Sequence, residues 1–191
     1  MRLNKLRRCG RGAAALSLAL VSLDGQAGAA NHCKAPEQVA FSCQVGGKVA
    51  SLCAGGPATA PATLSYRYGR PGKVENEFTA RPDNRNRFYA TSSPARPGAS
   101  VNQVWFDRGD TRYVLTECVG GSCSRRGGLA VLRGEKILMN GSCAAAQPDE
   151  AAFSREFVQF GSGAADSHSA TPLLIIEDAD NDIVRIYSQR R

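Results

Sequence analysis

The residue types able to do chemistry are few in this chain, and they fall in separate stretches. His168 follows Ser162 and Asp166, the three types of a hydrolytic triad. A triad needs three groups converging in space, and near neighbours in a short polar segment are poorly preorganised for that. The segment therefore reads as a solvated loop, with no catalytic residue assigned. The only other histidine, His32, lies near the N-terminus, where it is expected to be mobile. Asp178, Asp180 and Asp182 fit positions 1, 3 and 5 of a calcium loop, but Ile183 stands where glycine is required and Gln189 where glutamate is required. The run 177–182 is read as an acidic hairpin tip, with a weak cation site as the alternative and no cofactor or metal assigned. Arg108-Gly109-Asp110 spells an adhesion tripeptide and is also ordinary turn chemistry. Asn140-Gly141-Ser142 matches a glycosylation acceptor, and Asn-Gly is a favoured turn pair.

The cysteines say more. There are seven among 191 residues. Cys9 precedes an apolar run of eleven residues, Ala13 to Leu23, which is itself preceded by Arg2, Lys5, Arg7, Arg8 and Arg11 and followed by Ala27-Gly28-Ala29-Ala30. Basic start, apolar middle and small-residue end make residues 1–29 a secretory signal peptide, cleaved after Ala29 or Ala30. The run is too short to span a bilayer, and no other approaches the roughly 20 residues that a span needs. Cysteine use then favours an oxidising compartment, periplasmic or secreted. Six cysteines remain, and six can pair in 15 ways. Zinc is the competing reading, but neither a second pair nor a nearby histidine completes a site with Cys118 and Cys123.

Cys118 and Cys123 flank Val119-Gly120-Gly121-Ser122, a loop pliant enough to close a disulfide. The other four cysteines are constrained by hairpin parity. A two-residue turn at Gly46-Gly47 sets Val45 opposite Lys48 and Cys43 opposite Ala50, so Cys53 points to the other face from Cys43. Direct Cys43–Cys53 bonding is disfavoured. Of the pairings left, Cys33–Cys53 and Cys43–Cys143 are carried forward.

A third chemical feature is basic. Arg67, Arg70, Lys73, Arg81, Arg85, Arg87 and Arg96 are interleaved with Tyr66, Tyr68, Phe88 and Tyr89. Guanidinium groups and aromatic rings together could form a platform for a polyanion or glycan, and Arg67, Arg70, Arg81, Arg85 and Arg87 are the candidate binding residues. The competing reading is a solvated sheet face with its tyrosines in the core. Net charge does not decide. The chain carries +7, but residues 1–29 hold five of the 24 basic side chains and one of the 17 acidic ones, leaving +3. A nucleic-acid partner is not expected.

The elements that must position these groups read as short β-runs between turns. Leu64, Tyr66 and Tyr68 alternate with Ser65 and Arg67, a half-buried strand with polar residues outward. Hairpins are expected at Gly46-Gly47, at Arg70-Pro71-Gly72-Lys73, around Arg108-Gly109-Asp110 and at Gly134-Glu135. Loops are expected at 55–62, at 80–100 apart from a run at Arg87–Thr91, and at 161–171. Pro148 to Phe160 has a proline in its first turn, acidic residues next and phenylalanines at helical spacing, which predicts one short helix. Leu173–Glu177 and Ile183–Ser188 form a last hairpin. Residues 30–191 thus read as a single, mainly β domain, an antiparallel sandwich or barrel stapled by disulfides.

Phe41-Ser42-Cys43, then Lys48-x-x-Ser51-x-Cys53, then Leu64-x-Tyr66-Arg67-x-Gly69, with Glu75 and Cys143 beyond, resembles a group of small, uncharacterised exported proteins of Gram-negative bacteria. The resemblance covers roughly residues 31–143, implies a periplasmic or secreted location and brings no activity with it. In size and composition the chain is also similar to periplasmic lysozyme inhibitors. Their Ser-Gly is followed shortly by tyrosine, whereas Ser162-Gly163 here is followed by Ala164-Ala165-Asp166. The function expected from these readings is non-enzymatic binding of another macromolecule, a protein or envelope component, with inhibition of a secreted enzyme such as lysozyme as one form. The alternatives are a small cell-envelope hydrolase using His168, or a structural envelope protein with no discrete ligand.

Overall fold

A computed structural model describes residues 30–56, 61–120, 123, 126–144, 153 and 173–176. All regular structure among them is β-strand. Four strands, β1 (Gln38–Val45), β2 (Lys48–Gly55), β3 (Thr63–Arg70) and β4 (Lys73–Ala80), form an antiparallel meander. Six more, β5 (Phe88–Arg96), β6 (Ala99–Arg108), β7 (Thr111–Gly120), β8 (Gly127–Arg133), β9 (Lys136–Ser142) and β10 (Leu174–Ile176), form a second sheet in the order β10-β5-β6-β7-β8-β9. Only the β10–β5 pair is parallel. Tight turns set the register. At the β3–β4 turn, Gly72 has φ +75°, a conformation costly for any residue with a Cβ.

The two sheets face each other across one apolar core. The first contributes Phe41, Leu52, Leu64, Tyr66 and Phe78, and the second Phe88, Val104, Phe106, Leu115 and Leu129. Phe106 sits at the centre, stacked on Phe78 at 4.2 Å and on Tyr113 at 4.9 Å between ring centroids. The architecture is a β-sandwich. The opposite face of the second sheet is buried as well, with Trp105, Val114, Ala130 and Leu132 forming a second cluster.

Three disulfides staple this frame. Cys43–Cys143 joins β1 to the residue after β9, and so one sheet to the other. Beside it, Ala144 N–H donates to Gln44 O at 2.7 Å, and a Cβ on Gly141 would meet Val45 Cγ1 at 2.2 Å. Cys33–Cys53 ties the segment before β1 onto β2, and Cys118–Cys123 closes a short ring after β7. Cys43 pairs with Ala50 across the β1–β2 ladder, which leaves Cys53 on the opposite face. Three disulfides belong to an oxidising, non-cytoplasmic environment.

Four expectations need correction. Ser65 and Arg67 do not face water: they are 2% and 4% exposed, because residues 30–37 cross over that face of the first sheet. His32, in that segment, is buried rather than mobile. Of the stretch 80–100, only 81–87 and the two-residue turn Pro97-Gly98 lie between strands. β5 runs on through Pro94, and among the described residues β10 pairs with Phe88 to Ala90. The ladder to β6 bulges between Pro94 and Arg96, an irregularity that accommodates a residue lacking N–H. Asn140-Gly141 is not a turn but part of β9, because the chain has already reversed at Gly134-Glu135.

The expected helix at 148–160 lies outside the described residues except for Phe153. That residue is buried and makes an antiparallel bridge to Phe41, with ring centroids 4.8 Å apart. The expected loop at 161–171, half of the one at 55–62 and the second half of the last hairpin also lie outside. So does the signal segment 1–29. No helix among the described residues is long and apolar enough to cross a membrane.

Candidate binding loop

The structure divides the five candidate arginines into three environments. Arg67, in the middle of β3, is the hub of a buried ion cluster. Its Nη2 donates to Glu37 Oε1 and its Nε to Glu77 Oε1, each at 2.9 Å, while Nη1 reaches Glu37 Oε2 and the His32 carbonyl. The fork thus engages Glu37 in bidentate fashion. The Arg67 hydrogen bonds hold the Glu37 carboxyl below its ordinary range, against the opposing effect of burial, and the Lys34 N–H adds to them. The same bond to Glu37 raises Arg67. His32 completes the strap: its N–H donates to Ser51 Oγ at 3.0 Å and its Nε2 to Gly69 O at 3.2 Å. Arg67 is a structural group beneath the strap, which removes it from any exposed basic platform.

Arg70 lies at the β3–β4 turn, strongly exposed and within 4.0 Å of Glu75, which also pairs with Lys48. Arg81, Arg85 and Arg87 lie past the other end of β4. At about 3.3 Å per residue, its eight residues separate the two groups by roughly 25 Å. A continuous platform from Arg70 to Arg87 is therefore ruled out by the fold.

The loop 81–87, Arg-Pro-Asp-Asn-Arg-Asn-Arg, has its own internal framework. Asn84 Oδ1 accepts from the backbone N–H groups of Arg81 and Asn86, at 3.0 and 3.1 Å. The side-chain amides of Asn84 and Asn86 both donate to Thr79 O, at 3.1 and 2.7 Å. Arg87 Nη1 donates to Asn84 O and Asn86 O at 2.8 and 2.6 Å. Arg87 is thus spent on holding the loop. Arg81, Pro82, Asp83 and Arg85 are exposed on it. Asparagine side chains standing in for backbone partners are a standard way to fix a turn. A fixed loop presenting two guanidinium groups suits carboxylate or phosphate, which match the planar fork.

The remaining candidates do not join it. Arg108 ends β6, where its guanidinium donates to Asn76 Oδ1 and Glu77 O, and Asp110 lies 3.2 Å from Arg133, so the tripeptide is a hairpin tip with its charges engaged internally. Cys33, Glu37 and Cys53 bring possible metal-ligand atoms within 4.8 Å of one another, but both sulfurs are spent in a disulfide. Ser162, Asp166, His168, Asp178, Asp180 and Asp182 lie outside the described residues. Sequence reading passed over Glu37, Glu77, Asn84 and Asn86. The two asparagines carried the clearer signal, spaced two apart beside Pro82-Asp83. Compared with models of protein families, curated proteins and solved structures, the chain matches none.

Proposed function

We propose that this is a non-enzymatic exported protein that binds, through the loop 81–87, another macromolecule at the cell envelope that presents carboxylate or phosphate groups, acting as an inhibitor of a secreted enzyme such as lysozyme. The observation that carries this reading is the internal hydrogen bonding of that loop. A loop ordered before it meets a partner loses little conformational freedom on binding, so its exposed Arg81 and Arg85 can act as anchors at low cost. Export rests on residues 1–29 and on the paired cysteines. The partner is expected to present carboxylate or phosphate groups to the two guanidiniums.

The test compares three immobilised chains against envelope extracts and lysozymes: wild type, Arg81→Glu/Arg85→Glu, and Arg70→Glu/Lys73→Glu. The reading requires a partner retained by the wild type and by the Arg70/Lys73 variant and lost by the Arg81/Arg85 variant. Equal retention by all three, or none by the wild type at micromolar concentration, would overturn it. A retained lysozyme whose activity does not fall would remove the inhibitor action while leaving the binding.

A further inference from the structure

The loop 81–87 carries a third charge, Asp83, between its two exposed arginines. Asp83 is exposed as they are. Other acidic groups on this surface are answered by a cation: Asp107 by Arg112, Asp110 by Arg133 and Glu75 by Lys48. Among the described residues no ion pair engages Asp83, Arg81 or Arg85. All three charges therefore stand open to a partner.

Each charge also leaves the chain from a fixed backbone position. Asn84 N–H donates to Arg81 O at 3.3 Å, which closes a β-turn with Pro82 and Asp83 at its corners. Proline restricts φ at the first corner, so the turn is stiff where Asp83 emerges. Asn84 Oδ1 accepts from Asn86 N–H at 3.1 Å, an Asx-turn with Arg85 at its corner. Arg81 is held on both sides of its Cα, by its N–H to Asn84 Oδ1 and by its carbonyl to Asn84 N–H. The charges occupy alternate residues in the order positive, negative, positive. With consecutive Cα atoms about 3.8 Å apart, neighbouring charges start within about 7.6 Å of each other.

A surface charged with one sign cannot engage both arginines without laying an anion against Asp83. Like charges brought together as water leaves the interface repel strongly, whereas a cation in the same place is attracted. From this we propose that Asp83 is the specificity-determining residue of the loop, and that the partner is a protein surface on which a lysine or arginine stands between two carboxylates. The proposal rests on the loop 81–87 being the binding site. The arginines supply the attraction, and Asp83 decides which acidic surfaces fit. Nucleic acid and anionic lipid headgroups, whose charges are all negative, are turned away by the same side chain.

The experiment titrates the isotope-labelled full chain at low salt with two end-capped peptides, Glu-Gly-Lys-Gly-Glu and Glu-Gly-Glu-Gly-Glu. The amide resonances of residues 81–87 report occupancy. Net charge alone favours the second peptide, the more acidic of the two, on a chain of positive net charge. The expected result is the opposite: the wild type binds the lysine-containing peptide about fivefold more tightly, Asp83→Asn removes that preference and Asp83→Lys reverses it. A wild-type preference for the all-glutamate peptide, or an unchanged preference in Asp83→Asn, would overturn the proposal. The Arg81→Glu/Arg85→Glu variant tells this failure from failure of the site itself. Loss of both peptides by that variant keeps the loop as the binding site whatever Asp83 does. If the variant binds both as the wild type does, or if neither peptide moves these resonances at millimolar concentration, the loop is not the site and the proposal falls with it.

Discussion

Around Arg67, charge is enclosed and answered by charge. Around Arg85, charge stands in water on a loop whose shape is kept by neutral amides. Both residues come from the same basic stretch, 67–87, and both belong to segments fixed by side-chain hydrogen bonds. The first arrangement makes the arginine indispensable to the fold and invisible to a partner. The second makes it dispensable to the fold and available to one. The difference comes from what lies above each residue, the strap 30–37 in one case and solvent in the other.

The largest effect that would break this comparison is at Arg67 itself. Arg67→Met leaves Glu37 and Glu77 facing each other without their cation, and Glu37 is largely enclosed. A loss of about 3 kcal/mol in urea unfolding is expected, at the low end for a broken buried pair because Glu77 keeps substantial contact with water. A change within about 0.5 kcal/mol would show that the cluster is not holding the strap. Next comes Asn84→Ala, which takes an acceptor from two backbone N–H groups and a donor from Thr79 O. It should cost about 1–2 kcal/mol of stability. It should also weaken retention of a partner about tenfold, with Arg81 and Arg85 untouched. Unchanged retention would mean that loop order is irrelevant to binding.

A smaller effect separates the two regions by pH. Glu37 has its folded pKa held below the ordinary 4.5, first by the Arg67 hydrogen bonds. The unfolded chain therefore binds this proton more readily. The stabilisation is fully present above the ordinary value and is lost as pH falls through the folded one. Urea midpoints measured downward from pH 6 should fall in the acid range, and Glu37→Gln should flatten part of that fall. An identical slope in the variant would place the dependence elsewhere. The smallest effect on stability is expected from Arg81→Ala/Arg85→Ala, within about 0.5 kcal/mol of the wild type, since both side chains are exposed. A larger loss in the unfolding midpoint would give these arginines a structural role.

The sandwich was legible because its signals are local. Period-two alternation and glycine-centred turns place the first four strands and two of the hairpin tips of the second sheet within a few residues. Parity at Gly46-Gly47 separates Cys43 from Cys53, and the ladder does pair Cys43 with Ala50. Arg67 was misread because alternation describes a strand's own two faces and says nothing of a segment thirty residues earlier that folds back over one of them. The loop expected at 80–100 was drawn too long for a related reason: a proline is compatible with a strand where its ladder bulges, as between Pro94 and Arg96. The order within 81–87 went unseen because it depends on where Thr79 O points, which no residue type specifies.

Arg108 carries a consequence beyond its own hairpin. Among the described residues β4 is the outermost strand of the first sheet, and such a strand is a template on which another chain can add itself and start a fibre. The guanidinium of Arg108, arriving from the other sheet, occupies Glu77 O and Asn76 on that strand, where Lys73 and Glu75 already place charges. One side chain thereby joins the two layers and blunts a margin along which copies of this protein could otherwise aggregate.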